Sequence, residues 1–249
     1  MSQSYHDFEE LARRWENLAA GLPGVELSQM TMADGFPVYA LETTGNPGPA
    51  CYLSAGVHGD ECAPVWALLH WAEANRDVLA KDPFLIFPCL NPHGFINNIR
   101  IDGSGIDLNR GFQNRSIPVI SAWQEKVSQK KFRQVLNLHE DYDSRGIYLY
   151  EIAKNPYLGR KILNDCSSII ACDPDPEIDG QRFENGLCFH PGENIREVVE
   201  NDLEGGFPEA IYLYLFHTET ALTFETPSEM GITDRIAAQK RAIESFVAG

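Results

Sequence analysis

Residues 50–61 read ACYLSAGVHGDE, and residues 62–76 continue CAPVWALLHWAEANR. The apolar run at 50–55 has the length and composition of a strand buried on both faces. It ends at Gly56, and after a short polar turn a strongly apolar helix is expected from Cys62 to Arg76. Strand, turn and helix in that order open an α/β unit, in which ligands gather beyond the carboxyl ends of the strands. His58 and Glu61 occupy that position, three residues apart.

The same alternation extends in both directions. Upstream, Phe8, Leu11, Ala12, Trp15, Leu18, Ala19 and Leu22 fall at helical spacing over residues 7–22, with Gly21 or Gly24 as a stop. Residues 25–31 and 36–42 read as a hairpin around Ala33-Asp34-Gly35. Downstream, Phe84 to Leu90 reads as a buried strand, and Asn91 to Ser116 as a long irregular segment. Ile117 to Lys131 and Pro156 to Ile170 suit helices. Val135 to Leu138 and Ile147 to Ile152 suit strands, separated by a polar Glu140–Arg145 turn. Residues 173–209 read as a long acidic loop, and Ile211 to Phe216 and Ala221 to Phe224 as apolar strands. A helix from Thr233 to Val247, capped by Thr233 or Asp234, closes the chain. There is no internal repeat and no linker. The expectation is one α/β domain over residues 1–249, with a mixed, centrally parallel sheet flanked by helices.

Composition narrows the function. The chain has 249 residues, of which 43% are hydrophobic and 22% charged, so disorder, collagen and coiled coil are excluded. No apolar run is long enough for a membrane span. The formal charge of −16 would repel a nucleic-acid backbone, so neither nucleic acid nor membrane is an expected partner. The charge is concentrated: residues 173–209 hold eleven acids against two arginines. That segment reads either as a lid favouring basic substrates or as a solubility feature. Six cysteines without a CxxC pair, and an N-terminus without a signal pattern, suggest reduced thiols in a cytoplasmic protein.

The chemistry sits at strand ends. His58 and Glu61 follow one strand, His139 ends another, and Glu225 ends a third. Two imidazoles and one carboxylate are the ligand set of many hydrolytic zinc sites, with a position left open for water. An HxxE pair alone is an ordinary surface or cap feature, and a lone strand-end histidine is ordinarily a hydrogen-bonded core residue. Their combination is what points to a metal. No GxSxG elbow or phosphate loop competes with that reading.

Taken in order, His58-x-x-Glu61, Arg100, Gly105-x-Asp107-x-Asn109-Arg110, His139 and the Phe224-Glu225 strand end resemble the zinc metallocarboxypeptidases related to carboxypeptidase A. The likeness spans about residues 50–230 and is most like the short bacterial branch. That branch includes murein-peptide amidases and succinylglutamate desuccinylase/aspartoacylase-like proteins. The resemblance implies one Zn²⁺ held by His58, Glu61 and His139, with Glu225 as general base. It implies that Asp107 orients His58, that Arg100 faces the developing oxyanion, and that Asn109 and Arg110 grip a substrate carboxylate. The implied activity is cleavage of an amide bond beside a free carboxylate in a small peptide or acyl amino acid. The alternatives are an N-acyl amino-acid deacylase and a non-catalytic peptide-binding module.

The likeness is incomplete. The family's mobile tyrosine has no clear counterpart, because Tyr212 and Tyr214 sit close to Glu225 in an apolar strand pattern. The deacylase branch carries a C-terminal β domain, whereas 24 residues follow Glu225 here and read as one helix. Glu140, Asp141 and Asp143 read either as receptors for a substrate ammonium or as a solvated acidic turn.

Overall fold

The computed structural model describes residues 5–44, 47–154, 158–201 and 206–249. Helix α1 (Phe8–Ala20) turns Phe8, Leu11, Trp15 and Leu18 inward, and the Asp7 side chain caps it by accepting the Glu10 amide at 2.9 Å. The hairpin follows as β1 (Val25–Ala33) and β2 (Phe36–Thr43). Its turn residues Asp34 and Gly35 both have positive φ, the geometry that matches strand twist. Next come β3 (Ala50–Ser54), α2 (Cys62–Ala74), α3 (Arg76–Lys81) and β4 (Phe84–Phe87). Then follow α4 (Pro92–Asn97), a single 3-10 turn (Leu108–Arg110), α5 (Pro118–Val127), β5 (Phe132–Asp141), β6 (Tyr148–Ala153) and α6 (Leu158–Cys166). The last third holds β7 (Glu177–Ile178), β8 (Gln181–Arg182), β9 (Leu187–His190), α7 (Ile195–Asn201), α8 (Glu209–Phe216), β10 (Thr220–Pro227) and α9 (Ile232–Val247).

The main sheet runs β1-β2-β4-β3-β5-β10-β6-β9. Its centre, β4-β3-β5-β10, is parallel; β1, β2 and the β10–β6 pair are antiparallel, and β9 returns parallel to β6. This is the mixed, centrally parallel α/β architecture expected. β5 is buried on both faces from Gln134 through Glu140. Leu136 and Leu138 pack with α1, α2, α6 and α9 on one face, including Trp66, Ile162 and Phe246. Val135 packs with α5 and α8 on the other, against Trp123, Val127 and Leu213. Period-two alternation therefore sends His139 to the α5/α8 face and Glu140 to the α2/α9 face.

Several elements differ from the sequence reading. Residues 211–216 are helix α8, not a strand. A short apolar run has no period to distinguish the two, and Pro208 at the N-cap followed by Glu209 in the first turn starts a helix. The expected helix at 62–76 breaks at Asn75, whose side chain donates back to the Trp71 carbonyl. β4 stops at Phe87 because Pro88 has no N–H to offer. The 117–131 helix ends at Val127, before Gln129 takes a left-handed φ of 60°. In the segment expected to be helix from Pro156 to Ile170, residues 155–157 lie outside the described residues and α6 ends at Cys166. Helix α9 is capped by neither Thr233 nor Asp234; Gly231 holds the N-cap and its carbonyl accepts the Asp234 and Arg235 amides.

The acidic segment is not one long loop: residues 202–205 lie outside the described residues, and the rest holds β7, β8, β9 and α7. β9 belongs to the main sheet, and among the described acids Asp173 and Glu209 are interior. Asp173 accepts the Arg145, Gly146 and Asp175 amides, so it organises the β5–β6 connection. All six cysteines are free. Among the described residues, no helix is long and apolar enough to cross a membrane.

Candidate metal centre

The turn after β3 needs glycine twice. Gly56 has φ of 64°, and a Cβ there would meet Val65 at 2.9 Å. A Cβ on Gly59 would lie 1.9 Å from the Gly94 carbonyl carbon, so the turn packs directly on α4. This close packing delivers His58 and then Glu61, which stands at the N-cap of α2 without capping it. Its carboxylate instead faces two imidazoles. His58 Nδ1 lies 2.5 Å from Glu61 Oε1, and His139 Nδ1 lies 3.0 Å from Oε2. The two rings are 5.1 Å apart, centroid to centroid, and one ligand atom from each of the three residues lies within 4.8 Å of the others. All three are buried.

Burial opposes charge on Glu61, but the adjacent His58 and His139 more than offset it and hold its carboxyl at about 2. Burial lowers His58, yet Glu61 and Asp107 outweigh it and raise the imidazole to about 9. The His139 imidazole is raised as well, against burial, by Glu61. Protons and a divalent cation compete for the same Nδ1 lone pairs, so an anion between two basic imidazoles suits a metal ion.

Around this trio the structure places the other candidates. Asp107 Oδ1 lies 3.1 Å from His58 Nε2, the nitrogen turned away from Glu61. Asp107 Oδ2 accepts from Arg100 Nε at 3.1 Å and Nη2 at 3.0 Å, which leaves Arg100 Nη1 3.9 Å from Glu61. Asp107 also accepts the Asn109 amide at 2.9 Å and so starts the 3-10 turn that carries Asn109 and Arg110. Asn109 Oδ1 accepts the backbone amide of Glu209 at 2.9 Å. Phe207 bonds both sides of the same turn, donating to the Arg110 carbonyl and accepting from the Phe112 amide. Arg110 is exposed, and its Nη1 donates to the Asn109 carbonyl.

Glu225 lies on β10 directly across from His139 on β5 and from Tyr148 on β6. Its Oε2 is buried with no hydrogen-bond partner. Burial pushes its carboxyl well above the usual range, against the pull of His139, and Glu61 and Asp141 push it further.

Other residues have roles that the linear pattern did not reveal. Glu140 neither reads a substrate ammonium nor lies in a solvated turn: it is buried inside β5 and paired with Arg235. Asp141 accepts the Tyr148 hydroxyl at 3.0 Å, while Asp143 is exposed. Tyr212 packs against Trp123, Phe216 and His217, and Tyr214 covers Gly192; both serve the packing of α8. Glu209 was hidden inside an acidic stretch, yet its carboxylate accepts the Tyr52 and Ser54 hydroxyls beneath the Asn109 turn. Arg235 and Gln239 belong to a helix that read as a simple closing helix. Their one sequence signal is a glutamine set among the residues that α9 buries.

Residues 47–157 match the succinylglutamate desuccinylase/aspartoacylase catalytic domain. Carboxypeptidase SOL1 of Arabidopsis thaliana is 34% identical over 100 residues, which is 34% of this chain and 20% of that protein. A crystal structure of a candidate metallopeptidase from Shewanella denitrificans superposes with a TM-score of 0.85 over 98% of this chain and 90% of that one, at 20% identity. The chain has the fold of that metallopeptidase. A metallo-carboxypeptidase from Pseudomonas aeruginosa, in complex with (2-guanidinoethylmercapto)succinic acid, shares the fold with a TM-score of 0.68, at 17% identity, over 96% of this chain and 68% of that one. The matched segment holds His58, Glu61, Arg100, Asp107, Asn109, Arg110 and His139, while Glu225 comes from β10 outside it.

Proposed function

We propose that this chain is a zinc-dependent amide hydrolase that cleaves beside a free carboxylate, as a metallocarboxypeptidase does. One observation carries the reading: His58, Glu61 and His139 converge from separate strand ends while Glu225, with an unpartnered carboxylate oxygen, lies across from His139. The trio would hold the ion, and zinc with such ligands supplies Lewis-acid activation of water and of an amide carbonyl.

The rest falls to the protein's own groups. Asp107 keeps a proton on His58 Nε2, so Nδ1 presents its lone pair beside Glu61. Glu225 takes a proton from the attacking water onto its carboxylate and passes it to the departing nitrogen. Arg100, braced by Asp107, turns its remaining charge toward the carbonyl oxygen as negative charge develops there. Asn109 and Arg110 bind the substrate carboxylate. The Glu209 amide occupies Asn109 Oδ1, so the Asn109 amide group has its donor end left for a ligand, beside the planar fork of Arg110. The succinic acid compound bound to the Pseudomonas aeruginosa neighbour agrees with a carboxylate-bearing substrate. Six free cysteines agree with residence in the cytoplasm.

A second reading, hydrolysis of N-acyl amino acids, is favoured by the family match over residues 47–157. It uses the same groups on a smaller substrate. Zinc-loaded protein incubated separately with a peptide library and with N-acetyl and N-succinyl amino acids, read by mass spectrometry, separates the two. Loss of C-terminal residues that stops with chelator and returns with Zn²⁺ is the expected result. Turnover of acyl amino acids alone would establish the second reading, and tight peptide binding without turnover of either class would overturn the hydrolase.

A further inference from the structure

The face of the sheet opposite the candidate metal ligands carries a connected set of polar side chains. Glu140 follows His139 on β5 and Thr226 follows Glu225 on β10, and the two are register partners. Alternation puts both behind the site, against α2 and α9. There the Glu140 carboxylate meets three elements. Oε1 accepts from Arg235 Nη1 at 2.6 Å and from the Thr226 hydroxyl at 3.3 Å. Oε2 accepts the Ala63 amide at 2.9 Å.

That last contact answers a local problem. Glu61 is the N-cap residue of α2, and its side chain is turned to the imidazoles, so it cannot satisfy the free amides of the helix start. Glu140 does so from another strand, placing negative charge at the helix N-terminus. Gln239, one helical turn after Arg235, completes the set: its Nε2 donates to the His139 carbonyl at 2.6 Å and to the Thr226 hydroxyl at 2.9 Å. Gln239 and Thr226 are both 0% exposed. Every segment that carries a proposed metal ligand or base, apart from His58 itself, is thus tied from behind to one carboxylate or one amide.

We infer that Glu140, Arg235 and Gln239 are positioning residues: a lock behind the sheet that sets Glu61, His139 and Glu225 at mutual distances suited to a single divalent ion. None of the three touches the ion or the substrate. The inference rests on the proposed metal site. It differs from a purely structural account of the same buried pair, in which removing a partner costs stability and leaves the geometry in front unchanged.

The test measures Zn²⁺ affinity of the metal-free full chain by competition with a chromophoric chelator, at a temperature where circular dichroism shows each variant folded. Glu140→Gln and Arg235→Met are expected to weaken zinc binding by roughly 10- to 100-fold, as supporting partners of metal ligands do. Arg235→Lys, which restores the charge, should recover most of the loss. In the hydrolase assay these variants should lower kcat with little change in KM, since the Asn109 and Arg110 turn is untouched. Should Glu140→Gln not fold, Arg235→Met and Gln239→Leu remove one anchor each and carry the same expectation. Folded variants that bind zinc like the wild type, with only a lowered melting temperature, would overturn the lock and leave the metal site standing. A wild type that binds no zinc would overturn the metal site and the lock together.

Discussion

Glu225 of β10 and His139 of β5 are neighbours across a parallel register, with both side chains on the face of the sheet that α5 and α8 cover. Sheet geometry alone therefore holds a candidate base beside a candidate metal ligand, on two adjacent central strands of the sheet. Parallel pairing also puts both at carboxyl ends, where the fold opens to ligands. Replacing Glu225 by glutamine keeps size and most contacts and removes the proton acceptor. Turnover is expected to fall by roughly 10²- to 10⁴-fold, with zinc binding unchanged. Turnover at the wild-type rate would remove Glu225 from the mechanism.

Asp107 joins three candidate groups: it faces His58 Nε2, pairs with Arg100 and accepts the Asn109 amide. In Asp107→Asn the oxygen that serves both His58 Nε2 and the Asn109 amide is kept without its negative charge, while an NH₂ group replaces the oxygen that holds Arg100. Zinc affinity is expected to fall by roughly 10- to 100-fold, and kcat to fall further as Arg100 loses its brace. Chelator competition and steady-state kinetics read the two effects separately. Unchanged zinc affinity would mean that the charge of Asp107 does not support His58 as a ligand.

The front of this site was legible in the sequence, and the back was not. His58, Glu61 and His139 were visible because a metal needs a few residue types at strand ends, and strand ends are marked by apolar runs that stop at polar residues. Asp107, Asn109 and Arg110 became candidates through the resemblance carried by Gly105-x-Asp107-x-Asn109-Arg110, because a glycine-rich loop alone reads equally as an Asx turn. Glu140 was misread because it follows His139 in a run of acids, and the linear pattern does not show that β5 continues to Asp141. A strand buried on both faces places alternate acids in opposite environments, so adjacency to a functional residue says nothing about shared function. Helix α8 was misread as a strand for a different reason: residues 211–216 are apolar at every position, so the run lacks the periodicity that tells helix from strand.

Arg110 is the exposed member of the proposed carboxylate grip. Hydrogen bonds to charged groups contribute about 1.5–3 kcal/mol, so Arg110→Met should raise KM for a substrate with a free carboxylate by roughly 10- to 150-fold. The same substrate with its carboxylate amidated should be hydrolysed slowly and equally by both proteins. Equal losses on the two substrates would show that Arg110 acts on something other than the carboxylate.

Glu209 supplies a pH dependence that lies outside the metal centre. Its carboxyl is 1% exposed, in a network where Trp123 donates to the Tyr52 hydroxyl, Tyr52 and Ser54 donate to Glu209, and Asn137 donates to Ser54. Burial pushes this carboxyl up to about 7, against the hydrogen bonds from Tyr52 and Ser54 that favour its charge. A carboxyl whose folded value is raised binds its proton more tightly in the native state. Its contribution to stability is therefore full below the unfolded value of 4.5 and is lost as pH rises through about 7. The loss amounts to about 3 kcal/mol at most. Glutamine mimics the protonated form, so Glu209→Gln should abolish this fall. Urea midpoints of wild type and variant, taken at pH 5 and pH 8, should agree at the lower pH and separate at the higher, with the variant the more stable. Parallel midpoints at both values would show that the Glu209 carboxylate is ionised in the native state throughout.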